Sequence, residues 1–209
     1  MLFPEVDLQR ISIDALNSSQ EEIFRLRELL SHGGVVAIPT DTYYALAADP
    51  FSAAGVKRVF EAKARDDGKP LPVLIGSRPQ LDRLGVVEAA EKLDHYFSIW
   101  PAPLTVVFRV RAALPCTRGV ETIAVRLPAA KKVRMLLASA GALTGTSVNR
   151  SGSHPLDNPD AVEAVFRRNI DILVDGGKTP GGKPSTIIDA TTDPPALLRA
   201  GAFPWPMRS

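Results

Sequence analysis

The chain of 209 residues has a single cysteine, Cys116. That scarcity excludes a disulfide framework and a thiolate metal cluster. Histidine is nearly as rare: His32, His95 and His154 are scattered and make no ligand spacing. Long apolar runs are missing as well. The opening MLFPEVDLQR carries acids, so neither a signal peptide nor a transmembrane segment is expected, and a cytoplasmic protein with no membrane contact follows. The Asn-x-Ser matches at Asn17 and Asn149 then carry no glycan. No Ser-His-Asp or Cys-His arrangement can be picked out, and Cys116, after Pro115, has no activating partner. Charge of one sign is not in excess either: the net charge is +2, so any preference for anions must come from local clustering. What is present is an ordinary globular balance, 45% hydrophobic and 23% charged, without repeats, coiled coil or long linker. One domain over 1–209 is the expectation.

The stretch from Val35 to Ile75 organises the rest. VVAIP is an apolar run too short for a helix and bounded by Gly33-Gly34 and Pro39, as a buried strand should be. Thr40, Asp41 and Thr42 follow at once, where ligands bind in open α/β sheets, beyond the carboxyl ends of strands. Ser52 can cap the next helix, whose apolar stripe is Val56, Val59 and Phe60. The next position on that stripe holds Lys63, with Arg65 two residues on. Lys63 either snorkels to solvent and offsets the helix C-terminus or serves an anion site.

Around this stretch, residues 6–13 predict a first short strand. Ser18 and Ser19 precede Glu21 and Glu22 with capping-box spacing, and Gly33 ends the helix EEIFRLRELLSH. Ser77 is expected to cap a short helix, and residues 86–99 another, with Val87, Ala90, Leu93 and Phe97 on its apolar side. A stiff Trp100-Pro-Ala-Pro103 turn precedes the strand 104–110. In TIAVRL (122–127), Ile123, Val125 and Leu127 face one side; Thr122, Ala124 and Arg126 face the other. Arg126 then either meets solvent or lines a cleft. Pro128 is expected to start a helix through Ala140, and a short strand over 142–146 leads to Ser147 and Asn149, which point the same way if extended. Asn158-Pro159 starts a helix ending near Asn169, DILVD and TIID are strands, and PALLRAGAFPWPMRS closes the chain. Strands alternating with helices argue for α/β, a twisted open mixed sheet flanked by helices.

Gly177 to Lys183 matches the first part of a P-loop. The hydroxyl position is Pro184, however, and a strand follows instead of the helix a P-loop needs. The loop is read as solvated, or as one whose lysines approach phosphate. The remaining polar signal is a set of cations and hydroxyls at strand and helix ends: Thr42, Lys63, Arg65 and Lys69 early, then Arg126, Ser147, Asn149, Ser185 and Arg199. Such groups suit a polyanionic ligand.

PTDTYYAL, KAR, KPLPVLI, WPAPLT, AVRLP, SVNRSG, STIID and LLRAG occur in this order from the first helix to about Gly201. Together they resemble the YrdC family of threonylcarbamoyl-AMP synthases. The resemblance implies a YrdC-like fold with a concave cationic cleft. It also implies a nucleotidyltransferase that makes threonylcarbamoyl-AMP and pyrophosphate from L-threonine, bicarbonate and ATP, with Mg2+ on the triphosphate. Separate threonylcarbamoyl-transferase proteins would pass the product to an adenosine beside the anticodon of tRNA. The family's K-x-R and S-x-N residues fall on Lys63, Arg65, Ser147 and Asn149. Its threonine contacts fall on Thr42, Arg126 and Ser185. Its ATP contacts fall on Arg65, Lys69, Thr122, Gly145, Ser147 and Arg199. Departures are alanines for glycines at Ala45, Ala64 and Ala102, Asp66 for proline, Val148 for a small residue, and Leu74 where a histidine is often found. None deletes a charged site residue. The alternative implied is a non-catalytic module of the same fold that binds double-stranded RNA or tRNA. A carbamoyl-adenylate chemistry of the hydrogenase-maturation kind would need further domains.

Overall fold

The computed structural model describes residues 8–64, 69–150 and 152–205. Near the start, β1 (Gln9–Ser12) turns straight into α1 (Ile13–Ser18), so the expected strand stops one residue short of its predicted end. The cause is local: Ser12 Oγ accepts from the Ala15 backbone N–H at 3.1 Å and caps the helix. Ser19 does the same for α2 (Gln20–Ser31), accepting from Glu22 N at 3.2 Å.

The buried strand β2 (Val36–Ile38) follows, and the chain reverses through Thr40–Tyr44 into β3 (Ala45–Ala47). That second strand, three small or apolar residues long, had no sequence signal. The helix α3 (Ala53–Lys63) is capped by Ser52, whose Oγ accepts from Gly55 N at 3.2 Å. Then come β4 (Val73–Leu74), α4 (Pro79–Arg83) and α5 (Ala90–Ile99). Ser77 does not cap α4. The Gln80 side-chain carbonyl instead accepts from Gly76 N at 2.7 Å, and its amide donates to Leu137 O. Val87 lies outside α5 and is exposed, because Val86 pairs with Val110 and draws residues 86–89 off the helix.

The rest is β5 (Leu104–Arg109), β6 (Thr122–Arg126), α6 (Lys131–Ala140), β7 (Leu143–Thr144), β8 (Thr146–Ser147), α7 (Pro159–Phe166), β9 (Ile172–Asp175), β10 (Thr186–Asp189) and β11 (Ala196–Arg199). The helix expected from Pro128 begins three residues later. The strand expected over 142–146 divides at Gly145 into β7 and β8, and these join different sheets.

Both sheets are mixed. One runs β1-β9-β2-β3-β8, with parallel pairs β1–β9 and β9–β2 and antiparallel pairs β2–β3 and β3–β8. The other runs β11-β10-β5-β6-β4-β7. The single sheet expected from sequence is therefore two, meeting at Gly145. In β2 and β3 nothing is exposed. Val36, Ile38, Ala45 and Ala47 pack with α1, α2 and α6, whereas Ala37 and Leu46 face a larger core shared with α3, α5, α7 and the second sheet. Such burial on both faces gives a strand without alternation. No helix among the described residues is long and apolar enough to cross a membrane.

Candidate functional site

Two polar groups border the β2–β3 connection. The first is built on Lys63, the last residue of α3. Its position on the apolar stripe carries it inward: it is 3% exposed, so it does not snorkel. Its ammonium donates to the Ser147 carbonyl at 2.5 Å and to Asn149 Oδ1 at 2.8 Å. Ser147 Oγ donates to the same Asn149 oxygen at 2.8 Å, as expected of residues two apart on an extended segment. The Asn149 amide is held in turn by Arg150 O and Ser153 O at 3.1 and 2.8 Å. Residues more than eighty positions apart thus form one hydrogen-bonded set, with hydroxyl, carboxamide and ammonium together.

The second group centres on Arg126, the last residue of β6. The alternating pattern put it opposite Ile123 and Val125; the structure places it in the interior, not in solvent. Nη2 donates to Asp41 Oδ1 at 2.5 Å and Nη1 to Thr42 Oγ1 at 3.4 Å. Thr40 shapes this corner. Its hydroxyl accepts from Thr42 N, donates to Tyr43 O at 2.6 Å, and stands 3.1 Å from Thr42 Oγ1. Ser185, just before β10, lies 2.9 Å from Thr105 Oγ1, and Arg199 donates from Nε and Nη2 to Ser185 O at 3.1 and 2.8 Å. Burial and then the charge of Arg126 pull the Arg199 pKa down.

The two groups are neighbours through β3. Ala45 is in register with Ser147, and Val148 N donates to Tyr44 O at 2.9 Å. Thr42 lies three residues before Ala45, at most about 10 Å of chain.

Not every expected residue joins these contacts. Thr122 stands four residues before Arg126 on the same strand face, about 13 Å along β6, paired with Arg109. Gly145 sits at the seam between the sheets, its N–H donating to Pro72 O at 2.7 Å. Lys69 is exposed. Arg65 lies outside the described residues, as does Asp66. Leu74, the histidine departure, is buried in the helical core beside Val133 and Leu137.

Sequence reasoning missed Asp41 as the partner of Arg126, and Thr105 as that of Ser185. It also read 176–185 as a solvated loop or one whose lysines approach phosphate, and missed its bonds to the Thr42–Tyr44 corner. Tyr43 OH donates to Gly182 O at 2.5 Å, Gly181 N to Thr42 O at 2.7 Å, and Tyr44 OH to Gly177 O at 2.8 Å. Burial pushes the Tyr44 phenol up to about 12, so it stays a donor. The signal was a Tyr-Tyr pair directly after a polar corner. Cys116 is no nucleophile: burial pushes its thiol up to about 12. Among the described residues no group of three or more carboxylate, histidine or cysteine side chains could hold a metal ion.

Known proteins share this arrangement of segments. The family model Sua5_yciO_yrdC, described as telomere recombination, matches residues 28–201. A Pyrococcus abyssi protein named threonylcarbamoyl-AMP synthase is 38% identical over 180 residues, covering 84% of this chain and 52% of the relative. The chain thus spans about half the length of that relative. A threonylcarbamoyl-AMP synthase of Thiobacillus denitrificans is 34% identical over 179 residues, covering 84% of this chain and 93% of its own length. The crystal structure of P. abyssi Sua5 complexed with L-threonine superposes with a TM-score of 0.77 at 33% identity, over 93% of this chain and 57% of that one.

Proposed function

The chain belongs to the Sua5/YciO/YrdC family, and from that premise we propose that it makes threonylcarbamoyl-AMP and pyrophosphate from L-threonine, bicarbonate and ATP. The observation that carries this reading is Lys63, buried at the end of α3 and bonded to Ser147 and Asn149. A lysine taken from water at this energetic cost, among hydroxyl and carboxamide groups beside a strand end, suits stabilisation of phosphoryl charge.

In this reading Arg126 forks the threonine carboxylate, and Thr42 and Ser185 hydrogen-bond the amino acid. Lys63 and Arg65 stabilise the charge that builds as a carbamate oxygen attacks the α-phosphorus and pyrophosphate leaves. Ser147 and Asn149 orient the phosphates. Lys69, Thr122, Gly145 and Arg199 complete the ATP contacts. In this reading the positive charge of the cleft would come from Lys63, Arg65, Lys69, Arg126 and Arg199. Mg2+ would arrive on the triphosphate and neutralise part of its charge. Much of the acceleration comes from holding three substrates in register. Transferase proteins in the cytoplasm would carry the product to tRNA.

The test is pyrophosphate release from Mg2+-ATP and bicarbonate, with and without L-threonine, for the wild type and Lys63→Ala. Threonine-dependent release that falls about a hundredfold or more in the variant is expected. Release indifferent to threonine points to another acceptor. No release from a folded wild type overturns the enzyme reading and leaves binding of tRNA or double-stranded RNA, with its steep salt dependence, in its place.

A further inference from the structure

The hydroxyl of Ser185 is held from two sides. Arg199 Nη2 donates to its Oγ at 3.1 Å, while Nε and Nη2 hold the Ser185 carbonyl. Thr105 Oγ1, on β5, stands 2.9 Å from the same Oγ. The backbone brings the three together. Thr105 is in register with Ile187 in the parallel β5–β10 pair, and Ser185 lies two residues before Ile187, so both hydroxyls point to one face. Leu197 and Arg199 are also two apart, yet Leu197 packs against the larger core and Arg199 turns to Ser185. A bulge separates them: Ile188 pairs with Leu197 and Ile187 with Arg199, which leaves Leu198 unpaired and exposed. Beyond the bulge, Gly201 runs against the backbone before β10, where a Cβ would stand 2.3 Å from Pro184 O.

Donors and acceptors decide the direction of the Thr105 bond. A guanidinium only donates, so Arg199 takes one lone pair of Ser185 Oγ. Thr105 is 3% exposed, and Ser185 Oγ is the only partner of its hydroxyl among the described residues. If Ser185 donated to Thr105, the Thr105 proton would be a buried donor without an acceptor, which destabilises. With Thr105 donating instead, only lone pairs on Thr105 go unused, a smaller loss. The Ser185 proton is then free, beside Arg199 and within reach of the field of Arg126. A free hydroxyl proton among cations suits an anionic oxygen.

Resting on the reading of Ser185 as a contact of the amino acid, we propose that Thr105 is a positioning residue: it donates to Ser185 Oγ and so turns the Ser185 proton toward the carboxylate of the substrate. Thr105 touches no substrate itself. A hydroxyl kept only for the fold would change stability and leave the kinetics alone.

The experiment measures pyrophosphate release against L-threonine and against Mg2+-ATP for the wild type, Thr105→Val and Thr105→Ser. Valine keeps the shape and removes the hydroxyl. In Thr105→Val the KM for threonine is expected to rise about tenfold, the worth of one oriented hydrogen bond. The kcat and the KM for ATP are expected to stay within about twofold, as when only substrate binding is lost. Thr105→Ser restores the hydroxyl and is expected to return the threonine KM to within about threefold of wild type. An unchanged threonine KM in Thr105→Val, an ATP KM that rises equally, or a Thr105→Ser as impaired as Thr105→Val overturns the proposal. If Thr105→Val fails to fold, Thr105→Ala takes its place with the same expectation; if neither folds, the hydroxyl serves the fold and the proposal is overturned. A wild type without threonine-dependent release overturns the reading of the site, and this inference with it.

Discussion

Ala64 closes α3 at φ 49° and ψ 43°, in the left-handed region, with its N–H donating to Glu61 O. For an L-residue with a Cβ that conformation costs roughly 1 kcal/mol, and glycine is the usual solution at a helix end. The alanine is exposed, so its methyl adds little packing. Ala64→Gly should therefore raise stability by about 0.5–1 kcal/mol, read as a higher urea midpoint with an unchanged slope. A lower midpoint would show that the methyl packs after all. The residue beside it, Lys63, was legible in the sequence because a charge on an apolar stripe contradicts the helix's own pattern. Arg126 was half legible: alternation gave its face. Asp41 was in view as part of a polar corner, but its partner lies 85 positions away, and periodicity names faces, not partners. Thr105 was hidden in the same way, as one hydroxyl near the start of a strand that is apolar up to its last residue, Arg109.

Elements show where local signals ran out. The starts of α2, α3 and α7, each with a serine or asparagine cap, were readable to within a residue or two, whereas α1, capped by Ser12, carried no helix signal in sequence. β3 and β11 were not readable either, because three or four residues carry too little pattern to compete with a loop. The division of β7 from β8 turns on Gly145, where a Cβ would stand 2.4 Å from Leu74 Cγ. Leu74 is itself packed in the helical core and has little room to yield. Gly145→Ala should cost about 1–3 kcal/mol and shift Ser147, so that thermal stability and pyrophosphate release fall together; an unchanged melting temperature would show that Leu74 gives way.

Glu88 joins the segment before α5 to β5. Its carboxylate accepts from Arg109 N at 3.0 Å and from Lys92 Nζ at 2.9 Å. Burial alone would raise its pKa, but these donors outweigh it and hold the group below its ordinary 4.5. The stabilisation is complete above about pH 4.5 and is lost as pH falls through the lower folded value. Glu88→Gln should thus cost about 1–2 kcal/mol at pH 7, and the gap to wild type should close in acid. Urea midpoints across pH 2.5–7 give the answer, and a gap constant with pH would mean that shape, not charge, is what Glu88 supplies.

At the scale of the molecule, α/β alternation predicted the class, yet not that the strands divide between two sheets. That division depends on long-range pairings such as β1–β9 and β10–β5, which no window of sequence contains. Its physical consequence lies in β2 and β3, whose alternate residues belong to both cores. Neither core can open without exposing apolar side chains of the other, so the described fold should unfold as one cooperative unit despite its two layers. Leu136 in α6 is fully buried in the core beneath the helices, while Trp100 lies in the larger core on the opposite face. Leu136→Ala should destabilise by about 2–5 kcal/mol. If the cores are coupled, its tryptophan fluorescence and far-UV circular dichroism will shift to the same lower denaturant midpoint. A fluorescence transition that keeps the wild-type midpoint while the far-UV signal splits in two would show layers that fold separately.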